Sequence, residues 1–361
     1  MSEQEAEHRF PCVECGSDLR YSPDNGRLKC DHCGAEAALE PLLTLEDARE
    51  ELSYLAAIEA DIPESEIEVT RVVACESCGA QVELNGGDHA AECPFCASPV
   101  VVGTGTHRHL KPRAVLPFKW SESKARDAVG HWLGRLWFAP NGLKEYARKG
   151  RRLQGIYVPY WTYDSDTTSQ YSGERGDHYY VTVTVNGKSQ RQRRTRWSHR
   201  NGTVARDFDD VLVLASHSLP KRFTDNLSPW DLQALEPYAP AWLAGFRAEA
   251  YSVELPEGFN EARDIMDGII RGDVRRDIGG DVQRIHALDT THSDVTFKHI
   301  LLPIWMAAYK YRGKSFRFVV NGLTGKVQGE RPYSAWKIAL AVVAGVIVAA
   351  GAAYIYGQTQ Q

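Results

Sequence analysis

Polar and apolar residues alternate with two distinct periods along this chain, and each period marks a different kind of element. Leu42, Leu45, Leu52, Leu55 and Ile58 recur at helical spacing and predict one amphipathic helix from Thr44 to Ala60, with Thr44 and Asp47 placed as a capping box. A second helix is expected after Ser121, because Ala125, Val129, Leu133 and Leu136 keep a 3.6-residue period. A third carries Ala262, Ile265, Met266, Ile269, Ile270, Val274 and Ile278 on one stripe. Between them the period falls to two. Ile156–Tyr163 reads as a strand, Tyr179–Val185 alternates Val with Thr, and Asn186-Gly187 turns the chain back through Arg191–Trp197 as a hairpin. Val211–Leu214 predicts a short buried strand, and Ser228-Pro229 the start of a brief helix. Ile300–Tyr311, Ser315–Val320 and Lys326–Gln328 predict a meander. Helices mixed with antiparallel hairpins imply an α+β domain. Ala125-Arg126-Asp127 and Val158-Pro159-Tyr160-Trp161 echo Ala262-Arg263-Asp264 and Leu302-Pro303-Ile304-Trp305, as a duplicated helix-plus-sheet half would.

The last apolar run is longer than any core helix requires. From Trp336 to Tyr356 no charge follows Lys337, and 21 residues of helix span roughly 31 Å, one hydrocarbon core. Trp336, Tyr354 and Tyr356 stand where interfacial aromatics belong. Lys326, Arg331 and Lys337 precede the span and no charge follows, so residues 1–335 are expected on the cytoplasmic side of a membrane, as a tail-anchored, single-pass protein. Ala341, Gly345, Ala349 and Ala353 repeat every four residues, a spacing compatible with self-association in the bilayer.

The cysteines change the picture most. All eight fall in one repeated pattern, Cys12-x2-Cys15…Cys30-x2-Cys33 and Cys75-x2-Cys78…Cys93-x2-Cys96, with 14 residues between the pairs of each unit. Four thiolates in two close pairs suit a tetrahedral Zn²⁺, so two zinc ribbons holding two structural zinc ions are expected. Gly16, Gly34 and Gly79 follow three of the pairs, where a knuckle favours positive φ. Such ligands need reduced thiols, in agreement with a cytosolic location. The implied organisation is zinc ribbon 1 (1–36), an acidic helical connector (37–70), zinc ribbon 2 (71–104), the α+β domain (105–333) and the membrane helix (334–357).

Net charge is −5 with 25% charged residues, and residues 34–70 hold eleven Asp or Glu against Arg49 alone. That balance disfavours nucleic acid as a global partner. Two basic clusters run against it, Arg148–Arg152 and Arg191–Arg196, the latter followed by Trp197. They suit anionic lipid headgroups or nucleic acid. Gly187-Lys188-Ser189 and Gly313-Lys314-Ser315 lack the upstream glycine of a phosphate loop, having Thr182 and Ala308 there. His286, His292, His299 and His107-x-His109 are irregularly spaced, the latter pair in an expected loop, and the aspartates at 273, 277 and 281 alternate with Arg271, Arg275 and Arg276 as helix ion pairs do. No catalytic residue and no reaction is expected from these residues.

The segments Cys93–Val101 (Cys-Pro-Phe-Cys-Ala-Ser-Pro-Val-Val), Pro117–Lys119, Trp137–Asn141, Val158–Asp164, Gly173–Asp177, Arg275–Asp281, Phe297–Pro303 and Val320–Val327 together resemble a family of bacterial zinc-ribbon membrane proteins over nearly the full length. Members carry names such as primosomal protein N′, replication restart helicase or TFIIB-type zinc finger protein. Some relatives stand beside SPFH-domain and PspA-like membrane-stress proteins and resemble anchors that recruit them. The resemblance implies the eight cysteine ligands and no catalytic residue. It favours a non-enzymatic scaffold holding protein partners at the membrane; the alternative is a membrane-attached nucleic-acid-binding factor related to replication restart, without ATPase motifs.

Overall fold

The computed structural model describes residues 10–39, 44–59, 66–75, 77–83, 90–96, 98–101, 105–138, 153–185, 188–311, 314–330 and 333–359. The Asn186-Gly187 turn, the Arg148–Arg152 cluster, and the Arg312-Gly313 turn lie outside them.

Ribbon 1 is a three-stranded sheet of β1 (Leu19–Ser22), β2 (Arg27–Cys30) and β3 (Glu36–Ala37). The connector does not form one long helix. It is broken into α1 (Leu45–Arg49), the two-residue strand β4 (Leu52–Ser53) and α2 (Tyr54–Glu59). Pairing of β4 with the central sheet at Thr296 and Phe297 supplies backbone partners that a continuous helix would forgo. Ribbon 2 contains β5 (Ile67–Ala74), β6 (Gln81–Glu83), the β7 (Ala90–Glu92) and β8 (Pro99–Val101) hairpin, and β9 (Gly105–Leu110). His107 and His109 therefore lie on a strand, β9, rather than a loop.

The α+β domain follows. Its elements are β10 (Ala114–Val115), α3 (Glu122–Arg135), β11 (Gln154–Val185), β12 (Lys188–Leu214), α4 (Lys221–Asp225), β13 (Glu236–Pro237), β14 (Arg247–Ala248) and α5 (Leu255–Ile278). Then come β15 (Val282–Tyr311), β16 (Lys314–Asn321), β17 (Val327–Gly329) and α6 (Ala335–Thr359). The brief helix expected at Ser228-Pro229 is displaced: α4 ends before a cis Ser228–Pro229 bond, and a 3₁₀ turn follows at Leu232–Ala234. Strands β12, β11, β15, β10 and β13 neighbour one another in that order, with β14 on β11, β16 and β4 on β15, and β17 on β16. The short strands expected at 156–163 and 211–214 are the buried ends of β11 and β12, both of which continue far beyond the core.

Strand alternation sorts the core into two faces. Ile156, Val158, Leu302 and Ile304 point to one face and cluster with ribbon 2, Leu219 and Phe223. Tyr157, Leu301 and Trp305 point to the other, with α3 and ribbon 1; α5 continues that face over Trp161, Tyr163 and Phe297. The two ribbons thus grip opposite faces of one sheet.

The internal echo is a structural duplication. β11 and β15 pair antiparallel so that Val158 faces Leu302, which places Pro159 and Pro303, and Trp161 and Trp305, symmetrically about that pair. Trp161 Nε1 donates to Val253 O at 2.9 Å and Trp305 Nε1 to Trp120 O at 2.8 Å. Each acceptor is the residue before a helix N-cap, Glu254 for α5 and Ser121 for α3. Each half's tryptophan therefore fixes the start of the other half's helix. The lead-in strands match as well, since β10 pairs parallel with β15 at Val115–Leu301 and β14 parallel with β11 at Ala248–Tyr157. Only the Ala-Arg-Asp triplets fall out of step: Ala125 lies in the first turn of α3 and Ala262 in the second turn of α5.

Candidate metal centres

Each ribbon is assembled from two knuckles whose backbone closes on itself. Cys12, Cys30, Cys75 and Cys93 donate their N–H to the carbonyls of Ser17, Ala35, Ala80 and Ser98, at 2.7, 2.8, 2.8 and 2.8 Å. In three knuckles the glycine after the second cysteine has φ of +74°, +78° and +74° (Gly16, Gly34, Gly79), a conformation that costs an L side chain strain. These turns aim both sulfurs of a pair at one point.

The sulfurs converge accordingly. Cys12–Cys33 and Cys15–Cys30 are 3.6 and 3.5 Å apart, and Cys75–Cys96 and Cys78–Cys93 are 3.6 and 3.7 Å apart. Within each set all four lie inside 4.8 Å of one another. A tetrahedron with Zn–S bonds of about 2.3 Å has edges of about 3.8 Å, whereas a disulfide requires about 2.05 Å. The spacing fits zinc, and the eight cysteines are free of disulfides. Two tetra-cysteine clusters suited to two zinc ions are thus present at the positions the sequence indicates. Hydrogen bonds divide the thiols of each set unevenly: N–H and hydroxyl donation from Ser17 holds Cys15 down and the Cys78 thiol holds Cys93 down, while Cys33 and Cys78 are pushed up by the thiols beside them.

The two centres differ in their surroundings. In ribbon 1 Cys12 and Cys30 are buried and Cys15 and Cys33 exposed; in ribbon 2 three ligands are buried and Cys78 half-buried. Ribbon 1 is attached to the domain by Tyr21, which packs edge-on against Trp242 at 5.1 Å and donates to Phe118 O.

One cluster was not legible in the sequence. Glu51, Asp164, Asp209 and Asp210 bring carboxylate oxygens within 4.8 Å of one another. The buried Lys298 ammonium stands among them, 2.7 Å from Glu51 and 3.0 Å from Asp210. The Asp210 N–H donates to Asp164 at 2.7 Å, and burial beside Glu51 pushes Asp164 up to about 7. Lys298 supplies the cation, so the cluster is an ion-pair latch that fastens the connector to the sheet. The separation of Glu51 from Lys298 along the chain hides it; only the β4–β15 pairing brings them together.

The remaining candidates are dispersed. Asp273 pairs with Arg206 of β12 as well as with Arg276, Asp277 accepts from the Tyr171 hydroxyl, and Asp281 accepts from the His178 backbone N–H. These aspartates therefore tie α5 and its exit to the strands instead of pairing only along the helix. His286 lies by Glu174, His292 contacts Ser165, and His299 is buried against Leu110 O.

α6 carries an apolar stretch, Ala335–Ala353, long enough to cross a membrane and with none of it buried against the rest of the chain. Ala341, Gly345, Ala349 and Ala353 are all exposed along it.

The chain is 27% identical over 339 residues to the uncharacterized protein YdjG of Bacillus subtilis (strain 168), an alignment covering 91% of this chain and 92% of that relative. No protein-family profile matches the chain. No solved structure matches it either.

Proposed function

We propose that this protein is a non-enzymatic membrane adaptor: α6 inserts in a bacterial inner membrane, the rest of the chain faces the cytoplasm, and ribbon 1 holds a protein partner there. The observation that carries this reading is the exposure of ribbon 1's knuckles. Val13 is 95% exposed beside the exposed Cys15, and Asp31 and His32 of the second knuckle are exposed too. A zinc-rigidified turn with an apolar tip is a small, preorganised contact surface, and ordering it costs a partner little entropy. Candidate partners, by the resemblance above, are SPFH-domain or PspA-like membrane-stress proteins. Self-association through Ala341, Gly345, Ala349 and Ala353 would multiply weak contacts by avidity.

The test is mass spectrometry of proteins retained by the full chain from gently solubilised membranes, comparing wild type with Val13→Glu. The adaptor reading expects specific partners lost in the variant while both zinc ions stay bound. An unchanged set of partners overturns the role of ribbon 1.

A further inference from the structure

Beyond α5 the sheet narrows to a bare two-stranded arm. α5 ends at Ile278, and β15 begins at Val282 opposite Gly176. Past that point, among the described residues, only Asp177–Val185 and Lys188–Arg196 remain, nine paired residues per strand, roughly 30 Å of ribbon. Lys188, Arg191, Arg193, Arg194 and Arg196 oppose the single acid Asp177. The four arginines are exposed and form no ion pair among the described residues.

Their distribution over the arm is informative. Register places Arg193 opposite Tyr180 and Arg194 opposite Tyr179, so Arg191 and Arg193 occupy one face and Arg194 and Arg196 the other. On one face the Arg191 guanidinium lies 4.7 Å from the Tyr180 ring centre; on the other Arg196 lies 5.4 Å from Tyr179. A surface that lies flat on a membrane or on an acidic protein needs charge on one face only. A ribbon basic on both faces suits a site with phosphates on both sides.

We propose that this arm docks in the major groove of duplex DNA. The B-form major groove is about 12 Å wide and admits a two-stranded ribbon. Strands about 4.8 Å apart fit it, and an isolated two-stranded ribbon has the strong twist needed to follow it. The deep, narrow major groove of A-form RNA would not admit the arm. Arginines on the two faces reach the two phosphate backbones, each able to grip a phosphate bidentately. The acidic connector does not oppose this. Its contact with the sheet is at Thr296, paired with Asp164, about twenty residues of strand from the tip, or roughly 70 Å against a Debye length of about 8 Å. Strand direction points the arm away from the membrane exit as well: β17 runs toward α6 antiparallel to β16 and away from the tip. The inference is independent of which protein ribbon 1 holds.

The experiment uses the full chain in neutral-lipid nanodiscs with a labelled short duplex DNA, titrated between about 50 and 200 mM salt. The probes are that DNA, the same sequence as duplex RNA, and anionic vesicles. DNA binding is expected to exceed RNA binding and to fall steeply with salt. Replacing Arg191, Arg193, Arg194 and Arg196 together by Gln should weaken it at least about tenfold and reduce the log–log salt slope by about 3 to 4, one phosphate per guanidinium. The same four positions changed to Lys should recover much of the loss, which a misfolded arm would not. No binding to DNA, equal binding to duplex RNA, or affinity unchanged in the Gln variant overturns the proposal. Arm-dependent capture of anionic vesicles without DNA binding overturns it in favour of a lipid surface.

Discussion

The two ribbons share a ligand spacing and differ in nearly everything around it. In ribbon 2 the second knuckle reads Pro94-Phe95, and Phe95 is fully buried among Ile156, Val158 and Leu302; in ribbon 1 the same place reads Asp31-His32, both exposed. A zinc site is decided locally, by four sulfurs on two turns. Whether that site is a surface feature or part of a domain core is decided by the two residues between the cysteines and by the sheet that meets them. Ribbon 2 accordingly buries its second knuckle in the domain, while ribbon 1, which packs on the sheet through the side of Cys12 and Cys30, leaves its knuckle tips exposed.

The largest expected effect would break this contrast if it failed. Cys75→Ser with Cys78→Ser should remove one zinc, forfeit a large part of the about 10–16 kcal/mol that a structural site supplies, and abolish cooperative unfolding of the whole α+β domain. Cys12→Ser with Cys15→Ser should also remove one zinc yet leave a folded domain with a lower melting temperature. Near-ultraviolet circular dichroism and calorimetry of the solubilised chain distinguish the two. Equal losses would mean that the packing difference is energetically empty. The same contrast predicts that a chelator strips the ribbon 1 zinc first, seen as two phases of metal release in the wild type and one fast phase when only ribbon 1 remains intact.

A smaller effect sharpens the seam between ribbon 2 and the sheet. His299 is buried beside Leu110, the last residue of β9, and burial plus nearby His109 hold it down at about 3. The unfolded chain takes up that proton near pH 6.5 while the folded chain refuses it, so stability contributed by the neutral ring is complete above 6.5 and is lost as pH falls toward 3. His299→Gln should flatten the stability profile in that window by up to about 5 kcal/mol relative to wild type. Urea titrations at stepped pH measure the difference, and parallel profiles would rule the linkage out.

The two halves of the duplication provide a finer test. Trp161→Phe and Trp305→Phe each delete one indole hydrogen bond to a residue preceding a helix, and each should cost about 1–2 kcal/mol. Similar values, from chemical denaturation, would confirm that the halves are energetically equivalent. The smallest expected effect is that of Val13→Glu on stability, within about 0.5 kcal/mol, because the residue touches solvent alone.

Much of the candidate site was legible before folding. The cysteine spacing identifies all eight ligands because a zinc knuckle needs only a short, local turn. α3 and α5 follow from their periodicity, and α6 from its length and lack of charge. The Val-Pro-Tyr-Trp and Leu-Pro-Ile-Trp segments hinted at duplication. The single connector helix was misread because β4 trades helical hydrogen bonds for a sheet edge, a tertiary gain that no local pattern reveals. The Lys298 latch was hidden for the same reason.

What the sequence determined by itself is what depends on near neighbours: two four-sulfur clusters, the helices α3 and α5, and a helix long and apolar enough to cross a membrane. What only the tertiary structure decided depends on residues far apart in the chain. The register of β11 with β15 sets the symmetric exchange of Trp161 and Trp305 and places the ribbons on opposite faces, and the pairing of β11 with β12 extends beyond it into an arm with arginines on both sides. A pairing register is a choice among many nearly equivalent local arrangements, and only simultaneous burial of both sheet faces selects one of them.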